Sequence, residues 1–482
     1  MDLHIRAVAV AVAVTVAAAS VLLTGTGCTG GGEAGSGTGT RTGTGGVHGK
    51  PGAAGLRDPY FPRLGNGGYD VRHYALTLAY DPATNRLTGT ADITARATQA
   101  LSAFNVDLTG LTVDRATVDG RPASVRRAGH ELTLRPAAGL GAGDTFRTVI
   151  GYSGEPVTVT DEDGAEEGWV RTRDGAVALG QPTGSMAWFP GNHHPSDKAT
   201  YAVTVTVPKG YQAVSNGEVA QRRTGGDGRT TVTWRSAEPM ASYLATLAVG
   251  KYRTKTFRTP SGLPVHTATR GNPALLARIP ELLAWEVENF GPYPFSSIGA
   301  IVDPTVEVGY ALETQSRPFF AAGTFDPLTL VHELAHQWYG NSVSPESWRD
   351  MWLNESFATY AEWLYAEDFA ETPAEVSFAA AFADERNWAF PPADPPTAAD
   401  ISEPPVYGRG AMVLHKVRQA VGDDTFFGIL RGWAAEHRHG NASTQDFTRY
   451  VEEKSGEDLT GLWDTWLYGE KRPAGPATGP SA

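Results

Sequence analysis

The chain has 482 residues, 41% of them hydrophobic, and its 53 acidic and 40 basic residues give a formal charge of -13. That length exceeds one ordinary core and suits two or three. The charges are scattered, with no Lys/Arg run able to neutralise phosphates, which argues against nucleic acid as a partner. Twelve Trp and eighteen Phe argue against a disordered chain.

Residues 1–28 read as a secretory signal: Arg6 in a short n-region, then 17 uncharged residues from Ala7 to Leu23, then the small residues Gly25, Thr26 and Gly27 before Cys28. Cys28 is the only cysteine in the chain, so no intramolecular disulfide can form. The segment resembles a bacterial lipoprotein signal. That resemblance implies a lipid on Cys28 and an extracytoplasmic protein on the outer face of the cell membrane. An uncleaved transmembrane anchor is the other reading, and both tether the protein outside. Residues 29–57 are dominated by Gly and Thr at their start, in TGGGEAGSGTGTRTGTGG, and read as a flexible linker.

From 58 to 254 the pattern is mostly alternation with a period of two, as in Tyr74, Leu76, Leu78, Tyr80 and Tyr201, Val203, Val205, Val207. Turn signals recur, with AspGly at 119 and LysGly at 209 among them, and no amphipathic helix stands out. The region is predicted to be all-β. Near Gly250 to Arg258 the period shifts toward 3.6, and 255–472 reads as a mainly helical α+β domain. Helices are predicted over 272–290, 328–340, 353–369, 410–421 and 444–454, with a strand at 297–302. The tail, 473–482, is rich in Pro, Gly and Ala and is predicted to be disordered.

The chemistry concentrates in LVHELAHQWYG, where His332 and His336 are four positions apart, so on a helix they project from one face and can bind one cation. Glu333 can reach a water on that cation, as a general base must. A catalytic zinc needs a third protein ligand and an open position. Glu355, 19 positions after His336 (355 minus 336), supplies it from a second helical segment that GNSVSPESW allows to fold back antiparallel.

HELAHQWYGN with WLNESFATYAEWL resembles the aminopeptidase N and leukotriene hydrolase family of zinc metallopeptidases, peptidase family M1. QPTGSMAWFPGNHHPSDKATY, MASYLATLAVGKY, VGYALETQSRP and PPVYGRGAMVL match further family segments in order, and the resemblance covers most of 70–470. It implies an N-terminal β saddle or sandwich, a thermolysin-like catalytic domain, one Zn2+ per chain and peptide substrates.

The resemblance also implies residue roles. Glu313 falls where the family binds the substrate's α-amine from an edge strand, although Tyr310, Leu312 and Thr314 depart from the motif there. Tyr407 falls where a Tyr donates to the oxyanion, with Gly408 at the acidic position and Arg409 at the Lys position. Gln181 matches a Gln lining the first substrate pocket, with Thr183 where a second contact often occurs. His193 and His194 are read as part of a structural turn. Asp350 is a candidate orienter of a metal-bound His, with a plain helix N-terminal role as the other reading.

The implied activity is an aminopeptidase. An endopeptidase, an epoxide hydrolase with the same site and a non-catalytic surface lipoprotein remain as alternatives. Family members often continue into a large helical C-terminal domain, and the chain ending soon after 469 is expected to leave the site more open and tolerant of longer peptides. Oligomeric state is not legible in the sequence.

Overall fold

Alternating burial organises the first half of the molecule. The computed structural model describes residues 49–271 and 273–473, so Cys28 and the signal, most of the linker and nearly all of the tail lie outside the described residues. Within Tyr69–Asp81, Tyr69 and Val71 face the core and so do Tyr74, Leu76, Leu78 and Tyr80. The phase shifts because a register irregularity between Val71 and His73 inserts one residue against the partner strand. Tyr69–Asp81 is central in an eight-stranded sheet, between Arg86–Ala97 on one side and Lys198–Val207 on the other. Tyr201 lies opposite Tyr74 in the parallel pair, and their rings stack 4.9 Å apart.

Two smaller sheets complete this β-rich part. One contains Leu101–Asp107 and Glu131–Arg135; the other contains Glu166–Arg171, Ala176–Leu179 and Leu247–Gly250. Helical structure among the described residues before 253 is confined to the short 3-10 turns Gly184–Ala187 and Ser242–Leu244.

The next strand, Arg253–Arg258, opens a different, five-stranded sheet that runs through Pro264–Thr269 and Ile298–Val302 to Phe319–Phe320, with Ala311–Leu312 at its edge. Around it lie helices α1 (Ile279–Phe290), α2 (Pro327–Ala335), α3 (Trp352–Phe369), α4 (Ala374–Ala383), α5 (Gly410–Val421), α6 (Asp423–Glu436) and α7 (Thr444–Ser455). The helix predicted over 272–290 is a 3-10 turn, Ala274–Arg278, followed by α1. Pro280, which has no N–H to donate, occupies the first turn of α1, where none is required.

The helix predicted to reach Gly340 stops earlier. Beyond His336 the chain turns back, with Asn341 N–H donating to His336 O and Gly340 at φ 120°, a conformation that favours glycine. Helices α4 and α6 were not among those predicted. In α6 the buried Phe426, Ile429, Leu430 and Trp433 do carry helical spacing, whereas α4 is alanine-rich and buries only Ala374, Phe378 and Phe382.

The two halves are tied by buried polar contacts. Lys198 Nζ donates to the carbonyls of Asn341, Ser342 and Gly440 at 2.9, 2.9 and 3.0 Å. Asn216 Nδ2 donates to the carbonyl of Gln315, and Asp58 accepts from the backbone N–H of Trp348.

Candidate metal centre and active site

Helices α2 and α3 pack against each other and bring His332, His336 and Glu355 together. The Nε2 atoms of both imidazoles lie 3.3 Å from the same oxygen, Glu355 Oε2. Donors about 2.1 Å from a tetrahedral zinc are roughly 3.4 Å from one another, so the spacing matches such an ion. Each imidazole is also oriented through its other nitrogen: His332 Nδ1 is 2.6 Å from Glu362 Oε1, and His336 Nδ1 is 3.0 Å from the carbonyl of Tyr339. Nδ1–H donating to those acceptors leaves both Nε2 lone pairs facing the Glu355 carboxylate. Only positive charge reconciles them.

The electrostatics make the same demand. Burial opposes a charged His332, yet its bonds to Glu355 and Glu362 push its pKa well above the ordinary value. Burial likewise opposes ionised Glu355, while the His336 charge and the bonds from both imidazoles hold its carboxyl below the usual range. A divalent cation satisfies all three side chains at once.

Glu333 is buried beside this centre. Its Oε2 has no hydrogen-bond partner among the described residues, and burial pushes its carboxyl up to about 8. A free carboxylate oxygen beside the cation centre is placed to take and return a proton.

Glu313 follows the edge strand Ala311–Leu312, and one ligand-type atom from each of Glu313, Glu333 and His336 lies within 4.8 Å of the others. Burial raises the Glu313 carboxyl to about 7. Gln181, whose amide nitrogen turned toward this group donates to Glu313 Oε1 at 2.6 Å, is its side-chain partner among the described residues. The backbone carbonyl of Glu313 accepts from Asn341 Nδ2 at 2.6 Å and Gln337 Nε2 at 3.3 Å. The stretch just after the two histidines therefore holds the segment that carries Glu313.

Tyr407 lies in the wide helical turn Pro405–Arg409, its ring 6.2 Å from that of His332 and nearly parallel to it. Burial and the carboxylates of Glu355, Glu313 and Glu333 raise its phenol well above 10, so it stays a proton donor at neutral pH.

Other sequence expectations resolve differently. Asp350 does not orient a histidine: its Oδ1 accepts from Thr444 N at 2.9 Å and Thr444 Oγ1 at 2.7 Å, at the start of α7. Arg409 does not face the site; it is buried over the Trp388 ring, donating to the carbonyls of Trp466 and Phe390. At Gly408 an added Cβ would come 2.5 Å from Asn387 Oδ1, so an acidic side chain there would require the Asn387 amide to move. Thr183 binds inward, its Oγ1 and N–H donating to buried Glu167. His193 and His194, by contrast, serve the turn as expected, contacting the Phe189 carbonyl and Ser196 Oγ.

Glu362 was missed in the sequence. The available signal was its spacing, seven residues after Glu355 on the same face of α3.

Two domain models match the chain: the Peptidase M1 N-terminal domain over 71–244 and the Peptidase family M1 domain over 327–466. Tricorn protease-interacting factor F2 of Thermoplasma volcanium is 27% identical over 337 residues, covering 62% of this chain and 41% of its own. Aminopeptidase N of Streptomyces lividans is 28% identical over 315 residues, covering 58% of this chain and 36% of its own. The chain thus spans roughly two fifths of the length of these curated relatives. A solved mutant M1 zinc metallopeptidase from Deinococcus radiodurans, bound to a Tyr-Ser-Ala substrate, superposes with a TM-score of 0.81 at 29% identity, covering 87% of this chain and 99% of the solved one.

Proposed function

The chain belongs to peptidase family M1, and from that membership we propose that it is a zinc aminopeptidase that releases N-terminal residues from peptides. His332, His336 and Glu355 hold the zinc, which supplies a Lewis acid and a water whose pKa is brought toward roughly 7.

The remaining work falls to side chains of this chain. Glu333 takes the proton of the attacking water and later returns it to the leaving amine. Tyr407 donates a hydrogen bond to the carbonyl oxygen as it gains charge. Glu313, steadied by Gln181, pairs with the substrate's α-ammonium and so sets the scissile bond one residue from the N-terminus.

The observation that carries the aminopeptidase reading is Glu313 itself, 3% exposed, beside Glu333 and without a cationic side chain bonded to it among the described residues. Such a carboxylate is costly to ionise until a cation arrives. Tyr310, which departs from the family motif, donates its hydroxyl to the carbonyl of Glu166 at 2.7 Å.

The experiment is release of a fluorophore from a panel of aminoacyl amides, with chelator and with zinc restored, beside N-acetylated and internally quenched peptides. Chelator-sensitive, zinc-restored release confined to free amines supports the reading. Cleavage of blocked peptides alone would replace it with an endopeptidase.

For localisation, the proposal is extracytoplasmic, with the protein anchored to the membrane through a lipid on Cys28. The support is the order of charged, apolar and small residues before that cysteine. Cys28→Ala should move the protein from the membrane fraction to the soluble one, and unchanged partitioning would reject the lipid.

A further inference from the structure

The strands Leu101–Asp107 and Glu131–Arg135 run antiparallel with Asp107 directly opposite Glu131, so two carboxylates stand on one face of the sheet. Like charges in that position destabilise a pair of strands. Asp107 is fully buried; its Oδ2 accepts from Asn66 Nδ2 at 3.0 Å, and its Oδ1 has no hydrogen-bond partner among the described residues. Glu131 Oε1 and Asn66 Oδ1 are also enclosed without a partner among the described residues.

The ring next to Glu131 completes the group. His130 Nε2 is 3.9 Å from Asp107 Oδ1 and 3.5 Å from the carbonyl of Arg63, with the side chain 27% exposed. One ligand-type atom from each of Asp107, His130 and Glu131 lies within 4.8 Å of the others. Among the described residues neither carboxylate has a Lys or Arg ion pair.

We infer that Asp107, Glu131 and His130 form a second divalent-cation site, separate from the His332, His336 and Glu355 centre and structural in purpose. Two carboxylates and one imidazole suit Zn2+ or Mn2+. Donors about 2.1 Å from such an ion lie roughly 3 to 4 Å apart, so the group needs only a modest contraction around it. The ion neutralises the opposed carboxylates and satisfies the orphaned Asp107 oxygen. Through Asn66, which donates to Asp107, it fastens the segment before the first long strand to these two strands. His130 leaves one side of the group open to solvent as an entry path.

The test counts metal on the whole protein, stripped with chelator and re-equilibrated with Zn2+ or, separately, Mn2+. For zinc the expected content is two per chain in the wild type, one in His130→Ala, one in the His332→Ala/His336→Ala double variant and none in the triple. The metal-dependent rise in the unfolding midpoint should persist in the double variant and vanish in the triple. Equal midpoints for metal-free wild type and His130→Ala establish that the variant folds; if they differ, Glu131→Gln replaces it. The inference is overturned if the wild type holds a single zinc equivalent and the His332→Ala/His336→Ala double variant binds neither metal. It is also overturned by a second equivalent that survives both His130→Ala and Glu131→Gln.

Discussion

His332 Nδ1 and Glu362 Oε1 lie 2.6 Å apart, joining the exposed end of the metal centre to a glutamate two turns beyond Glu355 on the same helix. The bond fixes which imidazole nitrogen faces the metal and increases its basicity. Glu362→Gln should therefore weaken zinc binding by roughly 10- to 100-fold. Competition against a chromophoric chelator measures it, and at saturating zinc much of the lost activity should return.

Glu333→Gln should remove most turnover, by roughly 10²- to 10⁴-fold, without removing the metal, because the amide cannot accept the water's proton. Zinc content and kcat are measured on the same preparation. Full zinc with near-normal kcat would exclude Glu333 as the base.

Tyr407→Phe should lower kcat by roughly 10²- to 10³-fold with little change in KM, since its hydrogen bond matters only as charge develops on the carbonyl oxygen. A rise in KM at constant kcat would instead make Tyr407 a substrate-positioning group.

Glu313→Gln should cut kcat/KM for free-amine substrates by roughly 10- to 100-fold, the value of a charge-assisted hydrogen bond. Activity on N-acetylated peptides should fall far less, narrowing the preference for unblocked substrates. A uniform loss on both would remove the amine-anchoring role.

Asp58 gives a stability prediction with a defined pH window. Burial opposes its ionisation, but hydrogen bonds from His194 and from the backbone N–H groups of Trp348, Phe61 and Tyr60 lower its carboxyl from 3.8 to about 2. A folded pKa below the unfolded one stabilises the native state above pH 3.8, and this is lost as pH falls through about 2. The shift corresponds to about 2 kcal/mol. Asp58→Asn should thus lower the urea midpoint at pH 6, and its deficit against the wild type should shrink toward pH 2.

The residues bearing the metal chemistry were legible because the information is local. Two histidines four apart on a helix share a face whatever surrounds them, and alternation along Tyr69–Asp81 names its buried side except where an inserted residue shifts the phase. The edge position of Glu313 and the inert roles of His193 and His194 came from a family resemblance that the geometry bears out. Of the two readings of Asp350 the structure supports the helix N-terminal one, but at a helix its position in the sequence did not point to. Its place just before α3 says nothing about α7, whose first N–H groups it meets.

The sequence by itself determined the fold class, the two histidines, their glutamate partner and the candidate general base, all set by spacing within one or two adjacent elements. Only the tertiary structure decided that Glu362 and the Tyr339 carbonyl orient the imidazoles, that Gln181 meets Glu313, and that Asp107 stands opposite Glu131. The reason is geometric: helix and strand periods fix the direction a side chain leaves its own backbone, but which group it meets depends on how separate elements pack.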